Sequence, residues 1–220
     1  MKLKIGQKIV CIGDSITDCG RRGEFGPLGN GYVRYFHHLL HSAWPGNQVE
    51  IINKGIGGHT LMDLQLRWAD DVLYYQPDWV TILIGINDVH RVIRKTEGWA
   101  DHTPENFCRR YQEVLAVTKE KLPNCQLVCL EPFYITTDTT GQLKTQVLNQ
   151  LESYQKAVEA MSRKFKAGLI KLQSVYRRQM KNFAPEQLAP DSVHPTLLGH
   201  MIIAWELFQF FTKPEKYGSH

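Results

Sequence analysis

Four short segments carry side chains or bare backbone suited to chemistry. Gly13-Asp14-Ser15-Ile16 sets a serine directly after the apolar run Lys8 to Ile12. Gly55-Ile56-Gly57-Gly58-His59-Thr60 is rich in glycine, and Gly85-Ile86-Asn87-Asp88 offers a side-chain amide. Asp191-Ser192-Val193-His194-Pro195 holds an acid three residues before an imidazole. A serine hydroxyl is a poor nucleophile at neutral pH and needs an adjacent base to take its proton. An imidazole, with a reference pKa near ~6.5, is suited to taking and returning that proton. A carboxylate three residues earlier, in a turn, can accept from one ring nitrogen and leave the other facing the serine. The N–H of Ser15 is free if it opens a helix, and Gly58 has no side chain to block its own N–H. With the amide of Asn87, these donors fit the oxygen on which charge develops when a carbonyl is attacked. The chemistry these types allow is acyl transfer.

That chemistry requires distant segments to meet, so the question becomes which elements position them. Strand-like runs at Lys8 to Ile12, Val49 to Ile52, Trp79 to Ile84, Gln126 to Leu130 and Leu169 to Leu172 are short, apolar and rich in β-branched residues. Helical patterns lie between them: Tyr32 to Ala43, Leu61 to Tyr75, a helix opened by Pro104, a long amphipathic one from Leu143 to Phe165, and a last one from Thr196 to Phe211. Alternation of this kind predicts an α/β fold with a parallel sheet covered on both faces. In such a sheet, ligands bind beyond the carboxyl ends of the strands. The serine, the glycine turn and the Asn87 segment each follow a strand, so they are expected on one rim with the Asp191–His194 segment. The glycine-rich stretch 20–31 is either a plain connection or a mobile wall beside that rim. With 220 residues, 43% hydrophobic, and no internal repeat or linker, the chain is expected to form one domain over 1–220.

Composition narrows the partners. Net charge is +4, and the nearest things to basic clusters, Arg21-Arg22 and Arg177-Arg178, read as solvated surface, so no nucleic-acid partner is expected. The first residues lack a signal-peptide core, and no run is long enough to span a membrane. Five cysteines (Cys11, Cys19, Cys108, Cys125, Cys129) with no C-x-x-C pair suggest reduced thiols and a cytoplasmic location. Histidines 37, 38, 41, 59, 90, 102, 200 and 220 form no H-x-x-x-H pair with a glutamate, so neither metal nor cofactor is expected. Gly55-x-Gly57-x-x-Thr60 lacks the third glycine of a dinucleotide fingerprint. Asp14, His59, His90, Arg91, Phe133, Tyr134 and Pro190 are candidates to line the pocket, with packing or bracing roles as the plainer alternatives. Apolar residues on more than one face of the last helix (Trp205, Leu207, Phe208, Phe210, Phe211) fit either a self-association surface or deep burial, and a homo-oligomer is expected.

The set Gly13-Asp14-Ser15-Ile16, Gly58, Asn87 and Asp191-x-x-His194, in that order, resembles the four blocks of the SGNH, or GDSL, hydrolase family. The resemblance implies Ser15 as nucleophile, His194 as base, Asp191 as its partner, and Ser15, Gly58 and Asn87 as the oxyanion hole. It also implies a three-layer α/β/α sandwich with a flavodoxin-like parallel sheet of about five strands. Ile12 to Arg21, Asn53 to Ile56, Ile84 to Val89, Asp191 to Pro195 and Gly199-His200-Met201 are further similar to the branch of bacterial intracellular acetylxylan esterases. The implied substrate is an acetylated xylo-oligosaccharide. The alternatives are a broader carboxylesterase, lysophospholipase or thioesterase, a carbohydrate-binding module on the same fold, or a nucleotide-binding flavodoxin-like protein. Ile16 stands where the family has leucine, a conservative change. Pro190 departs from the aromatic expected in close relatives, which leaves the pocket wall and any family-typical assembly open.

Overall fold

Five short apolar runs form strands, and a glycine closes each of the first two. They are β1 (Lys8–Gly13), β2 (Glu50–Gly55), β3 (Trp79–Leu83), β4 (Gln126–Leu130) and β5 (Gly168–Ile170) in a computed structural model that describes residues 2–138 and 140–213. His220, weighed above with the other histidines, lies outside the described residues. All four strand pairings are parallel, and the order is β2-β1-β3-β4-β5. Every residue of the central β3 is buried, as a sheet covered on both faces requires.

The helices are α1 (Ser15–Asp18), α2 (Tyr32–Ala43), α3 (Leu61–Leu66), α4 (Trp68–Asp71), α5 (Ile86–Arg94), α6 (Pro104–Lys121), α7 (Gln142–Phe165), α8 (Leu172–Gln179), α9 (Pro185–Leu188) and α10 (Leu197–Thr212). One group is α2 packed on α10, with the rings of Phe36 and Phe211 stacked 5.5 Å apart. The other is α3, α6 and α7, joined by pairwise packing. Helices thus lie on both sides of a five-stranded parallel sheet, the expected three-layer architecture.

Several boundaries differ from the sequence expectation, each for a physical reason. The helix expected over Leu61 to Tyr75 is broken into α3, α4 and a 3-10 turn at Leu73–Tyr75. Arg67, at the first break, leaves helical geometry (ψ 10°) and sends its guanidinium to the Gly13 and Lys54 carbonyls, at 3.1 and 2.7 Å, and to Asp71. Those bonds lock the broken helix onto the ends of β1 and β2, and tertiary contacts override the periodic pattern. The fifth strand stops at Ile170, and Leu172 instead opens α8, burying Leu172, Val175 and Tyr176 on one face. The stretch 20–31 is a series of tight turns, with Gly23, Gly26 and Gly29 N–H groups donating to Gly20, Gly23 and Phe25 carbonyls. In α10, Leu207 and Phe211 are buried, Phe208 and Phe210 pack on the core, and Trp205 is exposed.

Candidate active site

The nucleophile segment is built by close packing. A Cβ on Gly13 would lie 2.3 Å from both the Leu83 carbonyl and the Thr17 hydroxyl, so only glycine lets β1 end against β3 and turn into α1. Asp14 caps that turn, its Oδ1 accepting the Ile16 N–H at 2.9 Å. Ser15 opens α1 and remains partly exposed. Its Oγ lies 2.9 Å from His194 Nε2. The imidazole is fixed from below by a tight turn in which Ser192 adopts φ 70°. Asp191 Oδ1 accepts the N–H groups of Val193 (3.0 Å) and His194 (2.7 Å), and its Oδ2 lies 2.6 Å from His194 Nδ1. The carboxylate therefore holds the ring proton on Nδ1 and turns bare Nε2 toward the hydroxyl. Partial burial raises the Asp191 carboxyl, but the bonds from His194 and the two backbone N–H groups outweigh it and hold the pKa below the ordinary value. Both side chains of this pair are more than half exposed, at 55% and 54%, so the rim is open.

Gly58 and Asn87 are the donor candidates. Gly58 has φ +79°, and a Cβ there would meet nothing within 4 Å. That positive φ is a backbone conformation that favours glycine. Asn87 stands in the first turn of α5 and spends one amide hydrogen on the His59 carbonyl at 3.0 Å, which leaves the other for a ligand. Behind the donors run three braces. Asp18 Oδ2 accepts the Gly57 N–H at 3.0 Å and an Arg22 N–H at 3.0 Å. Asn53 donates to the Thr17 and Leu28 carbonyls at 2.6 and 2.7 Å. Asp88, 1% exposed, accepts the Leu61 N–H and lies 3.3 Å from His102 Nδ1. Burial raises the Asp88 carboxyl, and His102 and the Leu61 N–H partly offset it.

The remaining pocket candidates divide. His59 is half-buried, and its Nδ1 accepts from Arg67 Nε at 3.2 Å; burial, then Arg67, push its pKa down, so the neutral ring carries its proton on Nε2. His90 and Arg91 are half-buried on α5, and Pro190 is exposed beside Asp191. Three candidates are buried, in the bracing or packing roles weighed as their alternatives. Asp14 is 1% exposed and serves as a cap, and burial drives its pKa up to about 7. Phe133 is fully buried against Tyr176, ring centroids 4.6 Å apart, because β4 carries it into the core. Tyr134 is 6% exposed, with its N–H held by Gln173, and backs the site rather than walling it.

Asp18, Asn53, Arg67 and His200 hold the site together without having been expected to. His200 Nε2 lies 3.3 Å from the Cys19 thiol, and its Nδ1 accepts the Tyr32 N–H, so it ties α10 to the end of α1. Burial pushes its pKa down to about 4 and that of the Cys19 thiol up to about 12. The available signal was a polar residue where an apolar one would serve: Asn53 within a strand, Arg67 within a helical stripe. Among the described residues, no group of three or more His, Cys, Asp or Glu is arranged to hold a metal ion, and no helix is long and apolar enough to cross a membrane.

Comparison with known proteins agrees with this arrangement of segments. The GDSL-like lipase/acylhydrolase family model matches residues 11–202. An acetylxylan esterase from Geobacillus stearothermophilus is 36% identical over 211 residues, 93% of each chain. The crystal structure of a catalytic mutant of that esterase superposes with a TM-score of 0.87 at 33% identity, covering 97% of this chain and 98% of the other. An alpha/beta hydrolase enzyme from the metagenome of Lake Arreo, Spain, gives a TM-score of 0.84 at 29% identity, over 97% of this chain and all of that one. By sequence, by fold and by near-complete coverage on both sides, this chain belongs to the GDSL-like lipase/acylhydrolase family and is a carboxylic ester hydrolase.

Proposed function

We propose that the chain is a serine esterase that removes acetyl groups from acetylated xylo-oligosaccharides in two acyl-transfer steps. The observation that carries this reading is one hydrogen-bonded line: Ser15 Oγ to His194 Nε2 at 2.9 Å, and His194 Nδ1 to Asp191 Oδ2 at 2.6 Å. In the first step Ser15 Oγ attacks the ester carbonyl carbon as its proton passes to His194 Nε2. The carbonyl oxygen becomes an oxyanion, received by the Ser15 N–H, the Gly58 N–H and the free amide hydrogen of Asn87. Asp191 stabilises the imidazolium and keeps its own charge. His194 then protonates the departing alcohol oxygen as the carbon–oxygen bond breaks, which leaves acetyl-Ser15. Water attacks that ester as His194 takes its proton; His194 then returns the proton to Ser15 Oγ as the acyl carbon–oxygen bond breaks, which releases acetic acid and restores the serine.

The substrate class is supported by likeness to an acetylxylan esterase over 93% of each chain. The open rim also supports it, because a half-exposed Asp191–His194 pair leaves room for a bulky alcohol. Product analysis on acetylated xylo-oligosaccharides, beside aryl esters of rising chain length, tests it. Acetate release from the sugar and a fall in rate from acetyl to octanoyl are expected; equal rates on long chains support the broader carboxylesterase instead. Ser15→Ala should abolish hydrolysis of an aryl acetate while the protein stays folded, and wild-type rates in that variant end the proposal.

A further inference from the structure

His90 is half-buried on α5, and its ring nitrogens have no hydrogen-bond partner among the described residues. It lies three residues past Asn87 on α5, so the two side chains leave neighbouring positions on one side of the helix. Its half-buried ring meets that of Tyr134 edge-on, with centroids 6.3 Å apart. The next residue, Ile135, donates its N–H to the Ser192 carbonyl at 2.8 Å, one residue from Asp191. Asp191 and His194 both act electrostatically on the His90 ring. His90 therefore flanks the proton-transfer pair as well as the oxyanion donors. Burial, and then Arg94, push its pKa below the ordinary imidazole value, so it is neutral near pH 7. A neutral imidazole has one N–H donor and one bare acceptor. Among the described residues, neither nitrogen has a hydrogen-bond partner. A polar ring left unpaired in a half-buried place gains most from a ligand that supplies both halves of a bond, and a hydroxyl does so.

We propose that His90 binds a hydroxyl group of the departing alcohol and so selects esters of polyols over esters of simple alkanols. The inference rests on the acyl-transfer reading above: His194 gives its proton to the alcohol oxygen, so a side chain beside His194 and Asp191 meets the alcohol half of the ester. Such an interaction discriminates because an alcohol lacking the hydroxyl displaces water from the half-buried ring and returns no hydrogen bond in its place.

Two acetates of equal size supply the test. 2-Hydroxyethyl acetate and propyl acetate differ only in a terminal hydroxyl against a methyl. The measured quantity is the ratio of their kcat/KM values, which does not depend on the overall level of activity. The wild-type protein should prefer the hydroxylated ester by about tenfold. His90→Phe keeps an aromatic edge against Tyr134 and should bring the ratio close to unity. His90→Gln keeps a donor and an acceptor and should retain part of the preference. A wild-type ratio near unity, or a ratio that His90→Phe leaves intact, overturns the assignment. If His90→Phe does not fold, the wild-type ratio and a partial loss in His90→Gln decide the matter. A wild-type protein that hydrolyses neither ester sinks the acyl-transfer reading, and this assignment falls with it.

Discussion

Each residue of the site answers to a separate measurement. Asn87 has one amide hydrogen committed to the His59 carbonyl and one available. Asn87→Ala should lower kcat by about 10²- to 10³-fold with a much smaller change in KM, because the missing donor acts on charge present only in the transition state. Steady-state kinetics on an aryl acetate reads this, and a change confined to KM would contradict it. Asp191→Asn keeps an acceptor for the Val193 and His194 N–H groups but replaces the carboxylate opposite Nδ1. The turn should therefore survive while the ring loses its fixed tautomer, and kcat should drop by about 10⁴-fold. Unchanged near-ultraviolet circular dichroism beside that loss would separate an electrostatic role from a structural one.

Between elements, the contacts that matter are those tying α1 to the glycine turn after β2. Asp18 is the link: it sits on α1 and accepts the Gly57 N–H, one residue from Gly58, the proposed oxyanion donor. Removing that acceptor frees the turn relative to Ser15, and small misplacements are costly in rate. Asp18→Ala should lower kcat by about tenfold or more, and Asp18→Asn, which retains an oxygen acceptor, should recover part of it; equal loss in both variants would argue against the bridge. The same contacts show what could be read from sequence. Strands were legible because each is a short apolar run, and α6 because Pro104 marks its start. The Asp191 turn was legible because acid and imidazole sit three residues apart. The break at Arg67 was not, since it depends on carbonyls at Gly13 and Lys54 that only the folded sheet brings near. For the same reason the sequence left Phe133 open between a pocket wall and a packing role. Its distance from Tyr176 is set by how the segment after β4 meets α8, a pairing that local pattern does not encode.

For the molecule as a whole, the buried Asp14 carboxyl makes stability depend on pH. Its pKa moves from an ordinary 3.8 to about 7, chiefly through burial. Between those values the folded state holds a proton that the unfolded chain has released, so this group's contribution to stability falls as pH rises. Asp14→Asn keeps an acceptor for the Ile16 N–H and has no proton to lose. Its stability relative to wild type should therefore climb from about pH 4 to pH 7 and then level off. Urea denaturation of both proteins across that range reads the difference, and a flat difference would contradict the assignment. A last consequence lies in where the reacting groups fall along the chain. Ser15 and His194 are separated by 179 residues, and β5 ends at Ile170. All five strands are thus synthesised before the base is. Any fragment released before that point carries a hydroxyl with no imidazole to activate it, so the onset of turnover during translation would time the docking of the final helix.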